Sequence, residues 1–277
     1  MASQPQPASG PARTFSIEMV HAGTQLLRVG RKAGSRPGLP LLLFNGIGGN
    51  IELLEPFARS MSRELILFDL PGVGHSPLPR WPYRLRGIAR LAAQVLEHFG
   101  HRRCDVLGVS WGGAAAQQFA RSEPERCRRL VLCATATGTL MVPARPSVLL
   151  KMATPARFVS AEYVRRVAGD IYGGDFRRDP GLAGEVFRHV RWQSRLGYYL
   201  QLAAAAGWTS IHWLHALKQP TLVMAGRDDP IVPLVNARLI CRLIPNAALE
   251  IFDCGHLFLL TRAEESARAI EEFLNRP

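Results

Sequence analysis

The chain has 277 residues, 47% hydrophobic and 20% charged, the proportions of one large globular, soluble domain with a sizeable core. No run approaches the roughly 20 apolar residues that cross a bilayer, and the five cysteines, an odd number with no C-x-x-C spacing, argue for a reduced compartment and against a metal site. The net charge of +12 raises the question of an acidic partner, but lysine occurs only at Lys32, Lys151 and Lys218 and the arginines are scattered without aromatic interleaving, so no nucleic-acid site is expected.

Residues 1–13 are rich in Pro, Ala, Ser and Gln. They lack the basic start and apolar core of a secretory signal, so a disordered leader on an intracellular protein is expected. Residues 14–20 and 25–32 alternate enough for an antiparallel pair turning at Ala22-Gly23. Residues 39–44 form a continuous apolar run, as in a strand buried on both faces, and end in the turn Asn45-Gly46-Ile47-Gly48-Gly49-Asn50. Helical periodicity follows at 51–61, then a buried strand at 64–68, the loop Asp69-Leu70-Pro71-Gly72-Val73-Gly74-His75-Ser76, and an amphipathic helix at 85–99. A strand at 104–109 and a small-residue helix at 111–122 flank Gly108-x-Ser110-x-Gly112, and another strand is expected at 129–133. Strands alternating with helices at this spacing make a mostly parallel, doubly wound α/β sheet, whose ligands bind at the carboxyl ends of the strands.

From 138 to 217 the pattern turns helical, broken at Pro143, Pro146, Pro155 and Pro180 and dense in aromatics such as Phe158, Tyr172, Trp192, Tyr199 and Trp208. This stretch reads as a helical cap, or lid, inserted over the carboxyl edge, leaving 14–137 and 218–277 as the core. The core resumes with strands at 221–225 and 248–252 and helices at 234–244 and 263–274, the last with Glu271 and Glu272 on its wet face.

Gly-x-Ser-x-Gly between strand and helix is the nucleophile-elbow pattern. The serine sits on a strained turn that lifts its Oγ clear of the sheet, and side chains at the flanking positions would collide with neighbouring elements. The helix that follows aims its N–H groups and positive dipole end where an oxyanion forms. Alone the pattern is weak, since a glycine-rich turn without chemistry fits it equally well. Order strengthens it. Ser110, Asp229 and His256 follow one another as in α/β-hydrolases, each in a loop directly after an expected strand. His256, with an ordinary pKa of about 6.5, would take the proton of Ser110 and return it to the leaving group, while Asp229 would fix the imidazole tautomer. Asp228 is the rival acid. Asp229 is preferred because it lies three residues past Gly226 with Pro230 stiffening the turn, which leaves Asp228 to face outward or bind backbone.

The histidines His21, His75, His98, His101, His189, His212 and His215 lie on the wrong elements for a base; only His75 and His212 are retained, as candidate pocket linings. The backbone N–H groups of Trp111, after the nucleophile, and of Ile47, in the loop after the third strand, are the candidate oxyanion donors. Asp69, in a Gly-Pro turn, favours a structural role. No Walker-type loop occurs and Gly72-x-Gly74 is too short for a dinucleotide fingerprint, so no cofactor or metal is expected.

The chain resembles the intracellular medium-chain-length poly(3-hydroxyalkanoate) depolymerases of bacteria, within the α/β-hydrolase superfamily. The core stretches that carry the resemblance are Phe44-Asn45-Gly46-Ile47-Gly48, Asp69-Leu70-Pro71-Gly72-Val73-Gly74, Gly108-Val109-Ser110-Trp111-Gly112-Gly113 and Gly255-His256-Leu257-Phe258-Leu259. The cap adds Ile171-Tyr172-Gly173-Gly174 and Gly207-Trp208-Thr209-Ser210-Ile211-His212-Trp213, which weigh most because core motifs are shared across the superfamily. The resemblance implies an α/β-hydrolase fold and an esterase that cleaves stored polyester through an acyl-enzyme. It puts nucleophile, acid and base on Ser110, Asp229 and His256. It also implies a cytoplasmic protein partnered by the polymer and its granule surface, and nothing about oligomeric state. The related polymer synthases carry Cys at the nucleophile position, so Ser110 argues for hydrolysis. A small-molecule carboxylesterase or lactonase of the same fold stays open. So does a non-catalytic granule-binding protein, against which the intact triad argues.

Overall fold

The computed structural model describes residues 14–153, 160–187 and 194–276, apart from the side chain of Ala161; the expected leader, 1–13, and Pro155, Phe158, His189 and Trp192 lie outside them. The strands in chain order are β1 (Ser16–Ala22), β2 (Gln25–Lys32), β3 (Leu41–Phe44), β4 (Leu65–Phe68), β5 (Cys104–Val109), β6 (Cys127–Cys133), β7 (Thr221–Gly226) and β8 (Ala247–Phe252). Helices are α1 (Glu55–Arg59), α2 (Leu85–His98), α3 (Trp111–Ser122), α4 (Pro146–Met152), α5 (Ala161–Tyr172), α6 (Gly174–Arg178), α7 (Leu182–Val186), α8 (Arg195–Ala205), α9 (Leu234–Leu243), α10 (Phe258–Thr261) and α11 (Ala263–Leu274).

The strands form one eight-stranded sheet in the order β1-β2-β4-β3-β5-β6-β7-β8. Only β2 runs against its neighbours. Every residue of β3, β4, β5 and β7 is buried, which is why their sequences run apolar without alternation. Leu42, Phe44, Ile66, Val106 and Leu132 pack on one face against α2 and α3 through Ile88, Ala92, Leu96 and Phe119. Leu41, Leu43, Leu65, Leu107 and Val131 pack on the other against Phe57, Phe258, Ile270 and Leu274. Helix α2 buries Leu85, Ile88, Ala89, Ala92, Val95 and Leu96, the stripe that 3.6-residue periodicity dictates. Each large aliphatic side chain so buried contributes about 1.5–3 kcal/mol.

From β3 the chain steps one way to β4 and then crosses to β5 on the other side. The crossing opens a crevice at the carboxyl ends of β3 and β5. Helices α4 to α8 lie between β6 and β7 in sequence and have an apolar cluster of their own, including Val164, Ile171, Tyr172, Phe176 and Ala183. Two of them start at serines whose hydroxyls cap the first turn: Ser160 accepts from Tyr163 N–H at 3.1 Å and Ser194 from Gly197 N–H at 3.3 Å. Their contacts with the sheet fall on its carboxyl-edge loops. Gly48 N–H donates to Gln201 Oε1 at 2.9 Å, Gly174 N–H to Asp228 Oδ2 at 2.8 Å and His256 N–H to the Tyr172 carbonyl at 2.7 Å. No helix among the described residues is long and apolar enough to cross a membrane.

One expectation about α11 is corrected. Glu272 is exposed, but Glu271 accepts from Ser62 N–H and Oγ–H at 2.8 Å each and from Arg63 Nε at 3.2 Å. Helical periodicity places it at the edge of the wet face, and the packing of α11 beside Ser62 turns that edge inward.

Candidate active site

The turn after β5 carries the elbow. Ser110 has φ +55° and ψ −118°, a conformation a β-carbon disfavours and the surroundings must enforce. Its N–H donates to Cys133 C=O at 2.8 Å, and its own carbonyl accepts from Thr135 Oγ at 2.7 Å and Gly113 N–H at 2.9 Å. The flanking glycines are required by close approach: a Cβ on Gly108 would meet Gly112 O at 2.3 Å, and one on Gly112 would meet Phe44 O at 2.1 Å. The elbow therefore sits hard against the end of β3.

Ser110, Asp229 and His256 come together at the carboxyl edge. His256 Nδ1 lies 2.7 Å from Asp229 Oδ2, and Nε2 lies 3.0 Å from Ser110 Oγ. His256 is 4% and Asp229 6% exposed. The second carboxylate oxygen of Asp229 accepts from Ile231 N–H and Val232 N–H at 2.9 Å each, so the carboxylate cannot rotate away from the imidazole. The rival, Asp228, points elsewhere: it accepts from Gly174 N–H and is paired with Arg177 at 2.6 Å. Burial pushes the thiol of Cys254, two residues before His256, up to about 12, so it stays neutral beside the site.

The two candidate oxyanion donors flank this serine. Trp111 opens α3 directly after it. Ile47 lies in the turn after β3, held alongside because Gly46 comes within contact of Ser110: a Cβ there would be 3.6 Å from Ser110 Cβ. Neither Ile47 N–H nor Trp111 N–H bonds to another described residue. From within, Asn45 stabilises the turn, accepting from Gly46 N–H and donating to Asn50 C=O at 2.8 Å each.

Two apolar hollows meet at Ser110. One, of about 50 Å³, is walled by residues including Ile47, Leu53, Tyr172, Ile231 and Leu257 and reaches His256. The other, about 310 Å³, is walled by Trp111, Met141, Leu202, Trp208 and Val232 among others. Such an arrangement can hold an uncharged ester with apolar groups on both sides of its carbonyl. His75 and His212, considered as linings, lie in surface turns, are exposed and border neither hollow. Asp69 is buried at 1% exposure and accepts from Arg28 Nη1 and Ile51 N–H at 2.9 Å and from His75 N–H at 3.0 Å. It ties the loops after β3 and β4 together. No cluster of His, Cys, Asp or Glu able to hold a metal occurs among the described residues.

Two contributors escaped the sequence reading. Tyr172 holds the His256 loop through its backbone carbonyl, which no side-chain pattern signals. Gln201, fully buried on α8, bonds to the Ile47 turn and to Trp111, and a single glutamine in a helix carries no motif.

A family model described as the alpha/beta hydrolase fold matches residues 40–263. The chain is 52% identical over 264 residues to a poly(3-hydroxyalkanoate) depolymerase of Ectopseudomonas oleovorans, covering 95% of this chain and 93% of that protein. It is 31% identical to a 2-hydroxymuconate semialdehyde hydrolase of Pseudomonas putida, over 86% of this chain and 87% of the relative. Among solved structures, a hydrolase from Pseudomonas aeruginosa PA01 superposes with a TM-score of 0.78 at 22% identity, covering 96% of this chain and 100% of that one. An enol-lactonase from Burkholderia xenovorans LB400 gives 0.75 at 21% identity, with 90% and 97% covered. At these identities the two structures speak for the fold alone.

Proposed function

The chain belongs to the poly(3-hydroxyalkanoate) depolymerases of the α/β-hydrolase fold, which are carboxylic ester hydrolases, and we propose that it cleaves intracellular storage polyester through an acyl-enzyme on Ser110, releasing 3-hydroxy acids or oligomers. The observation that supports this most is the continuous hydrogen-bonded line Ser110–His256–Asp229, opening on two apolar hollows.

With the proton of Nδ1 donated to Asp229, Nε2 of His256 is the acceptor facing Ser110 Oγ–H. As that proton moves to Nε2, Oγ bonds to the ester carbonyl carbon and the carbonyl oxygen becomes an oxyanion, which accepts from the N–H groups of Ile47 and Trp111. Each such donor lowers the barrier by about 3 kcal/mol. Asp229 stabilises the imidazolium and does not itself take the proton. Collapse breaks the bond to the 3-oxygen of the next unit, which leaves with the proton from His256 Nε2. Water, deprotonated by the same nitrogen, then attacks the acyl carbonyl; the acid departs and Ser110 regains its proton.

Residues 138–217 act as a cap, whose apolar and aromatic walls favour a hydrophobic chain over a charged metabolite. The protein works in the cytoplasm at the granule surface, where its polymer is. The 31% identity to a 2-hydroxymuconate semialdehyde hydrolase favours, as a second reading, a hydrolase of small molecules. The experiment that separates them compares a medium-side-chain polyhydroxyalkanoate latex with p-nitrophenyl octanoate, using wild type and Ser110→Ala. Clearing of the latex with release of 3-hydroxy acids, lost by several orders of magnitude in the variant, is the expected result. Ester hydrolysis without clearing supports the second reading. A loss of only a few-fold on replacing Ser110 removes the acyl-enzyme.

A further inference from the structure

Helix α8 is hydrogen-bonded to the loops of the oxyanion site through Gln201. Gln201 is fully buried, and it makes two bonds to the rim of the oxyanion site. Its side-chain oxygen accepts from Gly48 N–H at 2.9 Å, and its backbone carbonyl accepts from the indole Nε1–H of Trp111 at 2.9 Å. Gly48 follows Ile47, and Trp111 is itself the second donor residue. One position on α8 thus grips the neighbour of one donor and the side chain of the other.

The geometry around Gly48 shows why a grip is needed. Gly49 N–H donates to Gly46 C=O at 3.0 Å, and Gly48 has φ +72°, the arrangement of a type II turn with Ile47 and Gly48 at its centre. In such a turn the N–H of the third residue points out of the ring and needs an acceptor of its own. Gln201 Oε1 supplies it. That bond also fixes which way the glutamine amide faces, since flipping it would set NH₂ against N–H. In this orientation Gln201 Nε2 is buried and finds no acceptor among the described residues. An unmade buried hydrogen bond is costly. A methionine or leucine would fill the space without that cost, so a residue kept only for packing would not be an amide.

We propose that Gln201 is the positioning residue of the oxyanion site: from the helical segment above the sheet it holds the Ile47 turn and Trp111 in mutual register, so that both N–H groups meet the developing oxyanion. The proposal rests on the reading of Ser110 as nucleophile with Ile47 and Trp111 as donors. Its consequence is specific to the transition state. Loosening the register weakens bonds that are complete only once charge has formed on the oxygen, so kcat suffers and KM does not.

The test uses the full chain with p-nitrophenyl octanoate and, as a tetrahedral mimic, octylboronic acid. Gln201→Met removes the side-chain acceptor, and Trp111→Phe removes the indole bond without touching Gln201, so either carries the test if the other fails to fold, as judged by its melting temperature. The expected result is a loss of tenfold or more in kcat, KM within threefold, and boronate inhibition weakened by the same factor as kcat. Unchanged kcat, or a rise in KM with boronate affinity intact, overturns the proposal. Because boronate binds through Ser110, a wild-type enzyme indifferent to it, or a Ser110→Ala variant that retains turnover, marks failure of the underlying serine-hydrolase reading instead.

Discussion

Replacing Asp229 with asparagine preserves the volume of a buried side chain and changes the chemistry of one atom. The structure dictates how the amide must sit. Ile231 N–H and Val232 N–H both donate to one carboxylate oxygen at 2.9 Å, so the amide oxygen takes that place; the reverse orientation would strand two buried donors, at about 1–3 kcal/mol each. The NH₂ group then stands where Oδ2 was, 2.7 Å from His256 Nδ1. Two donors cannot share that gap. His256 is driven to the tautomer with its proton on Nε2, which faces Ser110 Oγ at 3.0 Å and can no longer accept. Where an aspartate–histidine–serine line is broken in this way the loss is about 10⁴ in kcat, or roughly 5.5 kcal/mol of barrier. Steady-state rates on p-nitrophenyl octanoate, with thermal melting as a fold control, measure it. Asp228→Asn is the companion variant: its carboxylate pairs with Arg177 and Gly174 N–H, so kcat should stay within about threefold, as expected of a surface ion pair. An Asp229→Asn loss below tenfold would refute the tautomer argument, and a larger loss from Asp228→Asn would mean that the wrong carboxylate had been chosen.

Leu202 is 41% exposed and walls the larger hollow at Ser110, so Leu202→Asp should fold normally. It should cut latex clearing tenfold or more while p-nitrophenyl butyrate turnover stays within about twofold, because only a long apolar chain needs that wall; equal losses on both substrates would contradict a polymer-bearing hollow. Asp175 on α6 is buried, which pushes its carboxyl up, but the paired bonds from Arg262 at 2.7 and 3.1 Å outweigh this and hold it below the ordinary carboxylate range. Its contribution to stability is therefore present above the unfolded value of about 3.9 and is lost as pH falls through the lower folded value. Arg262→Met should lower the melting temperature by about 2–4 °C at pH 7, and the gap to wild type should close on acidification below about pH 4. A gap that widens in acid would show that Asp175 is not ionised in the pair.

Much of this protein was legible because its signals are local. Runs such as Leu41-Leu42-Leu43-Phe44 and Cys104-Asp105-Val106-Leu107-Gly108-Val109 announce buried strands. A loop directly after a parallel strand must emerge at the carboxyl edge, so Ser110, Asp229 and His256 were bound for one side of the sheet whatever the strand order. In the sequence only its place past Gly226 favoured Asp229 over Asp228, since adjacent residues share a loop and differ in where the backbone turns them. That was decided when Ile231 N–H and Val232 N–H caught one carboxylate and Gly174 and Arg177 caught the other. The same holds for Glu271, turned from the wet face to Ser62 across 209 residues of chain, and for Gln201, which meets Gly48 across 153. Periodicity and turn chemistry act over a few residues and are written in the sequence. Which polar group on a distant helix meets which loop depends on how the layers pack, and only the tertiary structure decides it.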